Sequence, residues 1–304
     1  MKAIIAEGLE KSYTVDKKQT VALQNVSFEV EQGELFGIIG PDGAGKTSLF
    51  RVLTTLLLAD KGTATVDGFD VVKDFKEIRE RVGYMPGRFS LYQDLTVAEN
   101  LQFFATIFNT SIEQNYELIK DIYVQIEPFK DRKAGKLSGG MKQKLALCCA
   151  LIHKPSILFL DEPTTGVDAV SRKEFWEMLK KLKEQNITIL VSTPYMDEAS
   201  LCDRVVLIQN GKVLSIDSPE GIIDSFGKPL LAVRSDKMFK LQQEIKSIEG
   251  VEDCYPFGEY HHVVLQAGQE LNVNKKIRSL QFNNIEVMNA KPNIEDCFMA
   301  LMKV

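Results

Sequence analysis

The chain has 304 residues, of which 44% are hydrophobic and 26% are charged, a balance typical of a folded globular protein rather than a disordered one. Its formal net charge of −5 offers no basic surface for neutralising phosphates, so we expect no nucleic acid partner. The longest apolar runs, LTTLLLA and SILFL, are much shorter than the roughly 20 residues that cross a bilayer. Glutamates interrupt the N-terminal stretch, so we expect no secretory signal and a cytosolic chain.

The cysteines and histidines carry no metal-binding pattern. The five cysteines include no CxxC pair, which is typical of reduced thiols in a reducing compartment. We therefore expect His153, His261 and His262 to be surface or boundary residues.

The first predicted elements are strands. Residues 2–31 form two runs of alternating apolar and polar positions, separated by the charged turn VDKKQ, which predicts antiparallel strands. The continuous apolar run GELFGIIG then indicates a buried parallel strand, and the apolar periodicity of KTSLFRVLTTLLL predicts a helix after a glycine-rich turn.

That turn is a phosphate-binding loop. GPDGAGKT at residues 40–47 matches G-x-x-x-x-G-K-[ST] between a strand and a helix, the context that the motif requires. Backbone N–H groups of such a loop face the phosphates, and the helix N-terminus adds a partial positive charge. We expect Lys46 to reach the β- and γ-phosphates and the Thr47 hydroxyl to take one Mg²⁺ position.

The next region is mostly helical from about residue 95 to residue 152. Further buried strands follow in SILFLDEP, ITILVSTP and RVVLIQNGKVLSID, with a helix at 170–184 between the first two. Strands alternating with helices predict an α/β domain on a mostly parallel sheet, with a helical insertion at about 90–152.

SILFLDEP supplies two acids at the end of a buried strand. Asp161 is expected near the Mg²⁺, and the adjacent Glu162 is suited to act on an attacking water.

The segment LSGGMKQK at residues 137–144 suggests a second anion site. Ser138 resembles a helix N-cap, and the two glycines after it expose backbone N–H groups. One chain has little need of two phosphate-binding helix ends for a single nucleotide.

Over about residues 2–225 these ordered motifs closely resemble the nucleotide-binding subunits of ATP-binding cassette (ABC) transporters. The resemblance implies a P-loop NTPase fold with an antiparallel β subdomain, ATP and Mg²⁺ as ligands, and a head-to-tail dimer. In that dimer Ser138, Gly139 and Gly140 contact the γ-phosphate of the partner's nucleotide.

The resemblance also assigns roles within this chain. Tyr13 stacks on the adenine, although an aromatic in that strand could belong to the core instead. Asp161 holds Mg²⁺ directly or through water, Glu162 is the catalytic carboxylate, and Asp168 lies in the loop that crosses the dimer interface. The residues that cradle the phosphates are Gly40, Pro41, Asp42, Gly43, Ala44, Gly45, Lys46, Thr47 and Ser48.

The segment YQDLTVAENL and the helices after it match the region that docks onto a permease, with ordinary apolar packing as the alternative. The ending PNIEDCFMALMKV resembles export-type subunits that work with separate permeases. The resemblance therefore implies integral-membrane permease partners and a peripheral position on the cytoplasmic face of the inner membrane.

The character of the sequence changes near residue 227, and we predict an ABC domain at 1–227 and a second domain at 228–304. The order strand, helix, strand, strand, helix, strand predicts a small ferredoxin-like α+β domain. It shows no catalytic pattern, so we expect a regulatory or packing role.

Two positions depart from the family pattern. Where the family has a glutamine that meets Mg²⁺ and the lytic water, this chain has Gly87; where it has a switch histidine, this chain has Pro194. Neither residue has a polar side chain, so we expect the chain's own site to bind MgATP but to hydrolyse it slowly. A different partner subunit with a complete site is then favoured over a homodimer.

Other interpretations stay open. In one alternative, Glu162 suffices with help from Arg88 or Gln93 and a homodimer is active; in another, ATP only clamps the dimer. A soluble ABC protein acting on nucleic acid or ribosomes is disfavoured, because the chain has neither a second cassette nor a long coiled-coil insertion. The transported substrate is not encoded in this chain, since the cavity of the permease determines it.

Overall fold

The computed structural model describes residues 1–15 and 18–302, so the centre of the predicted turn VDKKQ lies outside the described residues. The chain divides into two compact units, Met1–Glu220 and Gly221–Val304. The predicted domain boundary, between residues 227 and 228, lies a few residues further along the chain. No helix in the described part of the chain combines the length and the apolar character needed to cross a membrane.

The strands and helices are numbered in chain order. The strands are β1 (Lys2–Val15), β2 (Lys18–Glu31), β3 (Leu35–Ile39), β4 (Lys61–Val66), β5 (Phe69–Asp70), β6 (Val82–Met85), β7 (Ile157–Asp161), β8 (Thr188–Thr193), β9 (Arg204–Gln209), β10 (Lys212–Asp217), β11 (Leu230–Arg234), β12 (Val251–Phe257), β13 (Tyr260–Leu265) and β14 (Glu286–Asn289). The helices are α1 (Lys46–Leu53), α2 (Phe75–Arg81), α3 (Val97–Ile107), α4 (Tyr116–Tyr123), α5 (Gly139–Leu151), α6 (Ala169–Glu184), α7 (Pro219–Asp224), α8 (Met238–Lys246), α9 (Glu270–Arg278) and α10 (Ile294–Leu301).

Two sheets form the first unit. The larger has the order β10-β9-β3-β8-β7-β6 and is parallel except for β10, and the smaller is antiparallel with the order β2-β1-β4-β5. One buried apolar cluster contains residues of both sheets and of α1, whose Phe50 meets Phe159 of β7 edge to face. The expected α/β domain on a mostly parallel sheet, with an antiparallel β subdomain, is confirmed.

Two predicted elements differ from the structure. The helix expected to reach Leu58 ends at Leu53, since Thr55 has a left-handed φ of 63° that breaks the helical path. The segment RVVLIQNGKVLSID, expected as buried strand, is a hairpin, because Asn210 and Gly211 both have positive φ and form a turn suited to two antiparallel strands. Its second strand, β10, is largely part-exposed rather than buried.

Between the β6 and β7 strands lie α3, α4 and α5, in the region of the predicted helical insertion. Helix α3 begins with a capping box: Glu99 N donates to Thr96 Oγ1, and Thr96 N donates to Glu99 Oε2 at 2.8 Å. This reciprocal pair fixes the helix start within the predicted docking segment YQDLTVAENL.

The C-terminal unit has an antiparallel sheet of order β12-β13-β11-β14, which is the strand order of a ferredoxin-like fold. Its core cluster joins α8 and α9 to one side of the sheet, through residues such as Leu241, Ile277 and Val263. Helix α10 is hydrogen-bonded to residues on the opposite face of the sheet, where Asp296 accepts from Tyr255 and His262.

The expectation that the histidines lie at the surface or boundary is wrong for His261 and His262, which are 4% and 5% exposed. His261 Nε2 lies 2.8 Å from the Met238 carbonyl oxygen, and His262 Nδ1 lies 2.6 Å from Asp296 Oδ1. Each partner satisfies one nitrogen of a buried imidazole, and among the described residues His261 Nδ1 has no hydrogen-bond partner. Both partners are too distant in sequence for spacing to suggest them.

Candidate functional site

The phosphate loop runs between β3 and α1, close to two other backbones. A Cβ added at Gly40 would lie 2.2 Å from the Ile208 carbonyl oxygen, and one at Gly45 would lie 2.2 Å from the Ala22 carbonyl oxygen. Gly45 also has a φ of 105°, which L side chains rarely adopt. Only glycine therefore fits at these two positions.

All the residues predicted to cradle phosphates occupy this loop and the first turn of α1. The loop closes on itself through a hydrogen bond from Ala44 N to the Pro41 carbonyl oxygen, at 3.2 Å. Gly43, at its tip, has a φ of 79° and no atom within 4 Å of an added Cβ, so this side of the loop is open. The backbone N–H groups at the start of α1 suit an anion.

Lys46 is buried at the centre of the site. It is 3% exposed, and its Nζ donates to the carbonyl oxygens of Gly40 at 2.7 Å and Pro41 at 3.0 Å. The same ammonium pairs with Glu162 Oε1 at 3.0 Å. The predicted phosphate-binding cation and the predicted catalytic carboxylate are thus in direct contact.

Asp161 ends β7 and is 2% exposed. Its Oδ1 accepts a hydrogen bond from Ser192 Oγ at 2.7 Å, and within residues 1–15 and 18–302 it has no ion pair. Burial of a carboxylate is costly without a compensating charge, and oxygen ligands of this kind suit Mg²⁺. Asp161, with the Thr47 hydroxyl in the first turn of α1, fits the group that the motifs imply.

Glu162 has a strained backbone. Its φ of 51° is left-handed, and its N–H donates to the Ser192 carbonyl oxygen at 3.1 Å and to Ser192 Oγ at 3.0 Å. The end of β8 therefore holds the backbone of Glu162 and the carboxylate of Asp161 at once. Strain held in this way is common at functional sites.

Tyr13 lies beside the loop, at the end of β1. Its hydroxyl is 3.1 Å from Ser48 Oγ, which ties the ring to the first turn of α1. The Lys11 ammonium lies 6.0 Å from the ring centroid. This position is next to the phosphate loop and only partly buried, as a base-stacking residue requires.

Ser138 caps α5, because Met141 N donates to Ser138 Oγ at 3.3 Å. A Cβ added at Gly140 would lie 2.7 Å from Ser171 Oγ, and one at Gly139 would lie 3.6 Å from the Gly166 carbonyl oxygen. The start of α5 therefore abuts the start of α6.

Asp168 caps α6, with Oδ1 accepting hydrogen bonds from Ser171 N at 3.0 Å and Val170 N at 3.1 Å. The bond from Ser171 contributes most to holding the pKa of this carboxyl below its usual value. Two capped helix starts, those of α5 and α6, thus lie side by side.

Both departures from the family pattern border the site. A Cβ added at Gly87 would lie 3.0 Å from the Asp161 carbonyl oxygen and 3.8 Å from Glu162 Cβ. Pro194 directly follows Thr193, whose carbonyl oxygen accepts a hydrogen bond from Gly40 N at 3.2 Å. The missing polar side chains would therefore have originated next to the acids and the phosphate loop.

Behind the predicted docking segment lies a cavity of about 320 Å³, lined by residues that include Tyr84, Pro86, Phe89, Phe104 and His153. Burial, with a smaller contribution from the charge of Asp161, raises the pKa of Tyr84 to about 12. Burial also lowers the pKa of His153, whose ring stacks on Phe108. This mostly apolar wall continues to the exposed Tyr92 and Phe103, which pack edge to face.

Sequence reasoning missed several residues that hold the site together. Ser192 and Thr193 at the end of β8, and the buried Glu198 after it, contact segments more than twenty residues away in the chain. Two hydroxyl residues at the end of a buried strand were the only local signal.

Known proteins resemble this chain in sequence and in fold. A sequence profile of the ABC transporter family matches residues 23–165. The probable multidrug ABC transporter ATP-binding protein YbhF of Escherichia coli K12 is 37% identical over 98% of this chain and 52% of its own length, so the chain spans about half of that relative. The Nod factor export ATP-binding protein I of Burkholderia lata is 33% identical over 92% of both chains.

A solved structure of the ATP-binding cassette MJ0796, a dimer in a post-hydrolysis state bound to ADP and Pi, superimposes with a TM-score of 0.64. It covers 71% of this chain and 98% of its own chain, at 25% identity. These sequence relatives match nearly the whole chain. The chain therefore belongs to the ATP-binding proteins of ABC transporters and is homologous to their export-type members.

Proposed function

We propose that this chain binds ATP on its phosphate loop and hydrolyses it to drive transport through separate membrane subunits. The single observation that carries the proposal is the contact of Lys46 with both the loop carbonyls and Glu162. It joins the cation that would hold the β- and γ-phosphates to the carboxylate that would act on water. Tyr13, beside the loop, is the proposed stacking partner of the adenine.

Mg²⁺ would be held by the Thr47 hydroxyl and the Asp161 carboxylate, which are oxygen donors of the kind that it prefers. When bound, it would neutralise charge on the phosphates. Glu162 is the proposed catalytic carboxylate, which orients the attacking water and accepts its proton. Water then forms a bond to the γ-phosphorus, and the bond from that phosphorus to the oxygen bridging the β- and γ-phosphates breaks. ADP departs with the electron pair of that bond, and the γ-phosphate leaves as inorganic phosphate.

Ser138, Gly139 and Gly140 are proposed to contact the γ-phosphate on a second ATP-binding subunit. The open backbone N–H groups at the capped start of α5 support this role. Asp168, at the adjacent start of α6, is proposed to cross the same dimer interface.

Export through integral-membrane permease subunits is the proposed transport activity, with the chain peripheral on the cytoplasmic face of the membrane. Two relatives are described as multidrug and Nod factor export ATP-binding proteins. The apolar wall that leads to Tyr92 and Phe103 supports docking of a permease at the segment after β6. The C-terminal unit is proposed to act as a regulatory or packing module.

We further propose that the chain's own site hydrolyses ATP slowly and that the partner subunit is a different protein. Gly87 borders Asp161 and Glu162, and Pro194 borders the residue bonded to Gly40, so two side-chain donors are absent around one phosphate position. Loss of one transition-state donor lowers turnover by about 10²–10³-fold in other enzymes.

The test compares ATP turnover by the purified chain with that of the double variant Gly87→Gln and Pro194→His. We expect low turnover by the unaltered chain and an increase of at least about tenfold in the double variant. Pro194→Ala is the matched control, since it restores backbone freedom without a polar side chain and should leave turnover low. Brisk turnover by the unaltered chain that the double variant does not change would contradict the slow site.

The partners are tested separately by isolating the chain from its cells with membranes dissolved in mild detergent. Co-purification of one or two permeases and a second, different ATPase chain is expected. Recovery with permeases but as a homodimer would refute only the heterodimer. Recovery with ribosomes would overturn the transport function.

A further inference from the structure

Glu198 is a buried carboxylate outside the residues assigned so far. It lies in the short 3₁₀ segment Met196–Leu201 and is 2% exposed. A carboxylate this deeply buried destabilises the fold unless charge and hydrogen bonds compensate it. Glu198 has both kinds of compensation.

Three side chains donate to this carboxylate. Thr164 Oγ1 lies 2.8 Å from Oε1 and 3.1 Å from Oε2, and Thr193 Oγ1 lies 2.5 Å from Oε2. Arg172 Nε lies 3.1 Å from Oε1 and supplies the opposite charge. Each donor comes from a different segment of the chain.

Those three segments each carry a part of the proposed ATP site. Thr164 follows Glu162 by two residues, in a turn where Thr165 N donates to the Glu162 carbonyl oxygen at 3.2 Å. Thr193 accepts the backbone hydrogen bond of Gly40, the first residue of the phosphate loop. Arg172 lies in the first turn of α6, one helical turn beyond its cap at Asp168.

We infer that Glu198 is a positioning residue. It holds the turn that contains Glu162, the end of β8 and the start of α6 in fixed positions relative to one another. The inference rests on the ATP hydrolysis proposed above. Glu198 acts on Glu162 and on the phosphate loop only through Thr164 and Thr193, so its effect should fall on the chemical step. Displacing a reacting group by about 1 Å can cost on the order of 10² in rate.

Pro194 increases the need for such a residue. Because position 194 has no polar side chain, the neighbouring Thr193 hydroxyl makes the side-chain hydrogen bonds that hold this end of β8. That hydroxyl donates to Glu198 and accepts from Tyr195 N at 3.1 Å, so it acts as both donor and acceptor. Removing the carboxylate would free the Thr193 hydroxyl, while the backbone hydrogen bond from Gly40 N to the Thr193 carbonyl oxygen would remain.

The alternative is a purely structural role, because Arg172 also pairs with Asp197 at 3.1 Å and lies 4.3 Å from the Tyr195 ring centroid. A structural role predicts that stability, ATP affinity and turnover decline together. A positioning role predicts that the rate of hydrolysis falls while ATP affinity is retained. The ratio of these two effects separates the roles.

The experiment measures single-turnover hydrolysis of γ-labelled ATP by the full chain in excess, together with ATP affinity by titration. Glu198→Gln is expected to slow hydrolysis by about 10- to 100-fold and to change affinity by less than about threefold. Asp197→Asn is the matched control: it faces the same Arg172, its side chain is 75% exposed, and both quantities should stay unchanged.

Thr193→Val provides a second route if Glu198→Gln fails to fold, because it removes one donor and leaves the carboxylate paired with Arg172. It should also slow hydrolysis without loss of affinity, and the double variant should be less than additive, since both changes break one unit. Hydrolysis within about twofold of the unaltered chain in the folded variants, or an equal loss of rate and affinity, would overturn the inference. Single-turnover rates can be measured whether the unaltered chain hydrolyses ATP quickly or slowly. A failure of the slow-site proposal can therefore be told apart from a failure of this inference.

Discussion

At the scale of single residues, the glycines of the phosphate loop are required for different reasons. Gly40 needs only space, since an added Cβ would meet the Ile208 carbonyl oxygen, whereas Gly43 needs only a positive φ of 79°. Gly45 needs both. The loop is therefore shaped partly by the backbones it crosses and partly by its own dihedral angles.

Gly40→Ala should separate these effects. Because the new methyl group must push the loop away from β9, we expect the free energy of unfolding to fall by about 1–3 kcal/mol, as in overpacked cores. ATP affinity should fall with it, since the loop moves as a whole.

The matched control is Gly43→Ala, whose Cβ meets no atom within 4 Å, so it should cost about 1 kcal/mol of backbone strain alone. Denaturation curves and ATP titrations of both variants provide the comparison. Equal affinities in the two variants would show that the contact with β9 does not shape the loop.

Residue by residue, sequence motifs identify the groups that would touch the nucleotide but not those that hold them. Lys46, Asp161 and Glu162 follow from local patterns, because a phosphate loop and an acidic strand end are contiguous in sequence. Ser192 and Glu198 do not, because their bonds to Asp161 and Thr164 span 31 and 34 positions. Such contacts become visible only when the strand order is known.

At the scale of elements, the adjacent starts of α5 and α6 are the feature that a partner subunit would meet. Ser138 accepts from Met141 N in α5, Asp168 accepts from Val170 N and Ser171 N in α6, and Gly140 permits the close approach of the two helices. A helix start that is capped on one side can still present open N–H groups to an anion.

Two substitutions at Ser138 test this helix start. Aspartate and asparagine both cap helices well, so neither Ser138→Asp nor Ser138→Asn should unfold α5. Only Ser138→Asp adds a charge that repels a phosphate, so it should lower ATP turnover of the assembled transporter by at least about tenfold more than Ser138→Asn.

ATP affinity of the isolated chain is the internal control and should be the same in both variants, because the proposed contact is with the partner's nucleotide. Turnover that declines equally in the two variants would argue against an anion at this helix start.

Helix α10 is held to the C-terminal sheet by a buried polar group. Asp296 is fully buried, accepts from Tyr255 and His262, and closes a capping box with Asn293. Burial raises the pKa of Asp296, but the hydrogen bonds from His262 and Tyr255 outweigh it and leave the pKa below its usual value.

Asp296→Asn should lower the free energy of unfolding of the C-terminal unit by about 3 kcal/mol, as expected when one member of a buried pair is removed. The lowered pKa gives a pH dependence: this stability is present above the pKa of an unfolded aspartate and is lost as the pH falls through the lower folded value. The variant should therefore lack this acid-dependent loss.

Urea denaturation at pH 7 and at lower pH measures both effects. Glu295→Gln, an exposed neighbour in the same helical turn, should change stability by less than about 0.5 kcal/mol. A similar loss in the two variants would mean that the buried pair does not hold α10.

The elements themselves were predicted unevenly. Long buried strands and the ferredoxin-like order followed from periodicity, because their patterns are sustained over several residues. Short elements such as β5 and β6 carry too few residues to establish a period. The hairpin of β9 and β10 was missed although its Asn210-Gly211 turn, between two apolar stretches, is a sequence signal for a two-residue hairpin.

At the scale of the whole molecule, the chain combines the segment LSGGMKQK with a proposed nucleotide site that has Gly87 and Pro194 at its border. The first resides at the starts of α5 and α6, and the second at the ends of β3, β7 and β8. The sequence predicts both, the first from the contiguous segment LSGGMKQK and the second from several separate motifs. Through the family resemblance it also predicts permeases and a second ATP-binding subunit as partners, but not their identity, because surfaces rather than motifs determine which protein binds.

The strand order sets the distance between the phosphate loop and the acid pair, and side chains do not control that distance. Strand β8 lies between β3 and β7, so the phosphate loop and the acid pair extend from strands that are two spacings apart, roughly 10 Å. The backbone hydrogen bonds of the sheet fix this distance, and the end of β8 lies between the two strands. Substitutions at positions 87 and 194 can therefore change the chemistry performed between the phosphate loop and the acid pair. They do not change the distance between the two, because the sheet sets it.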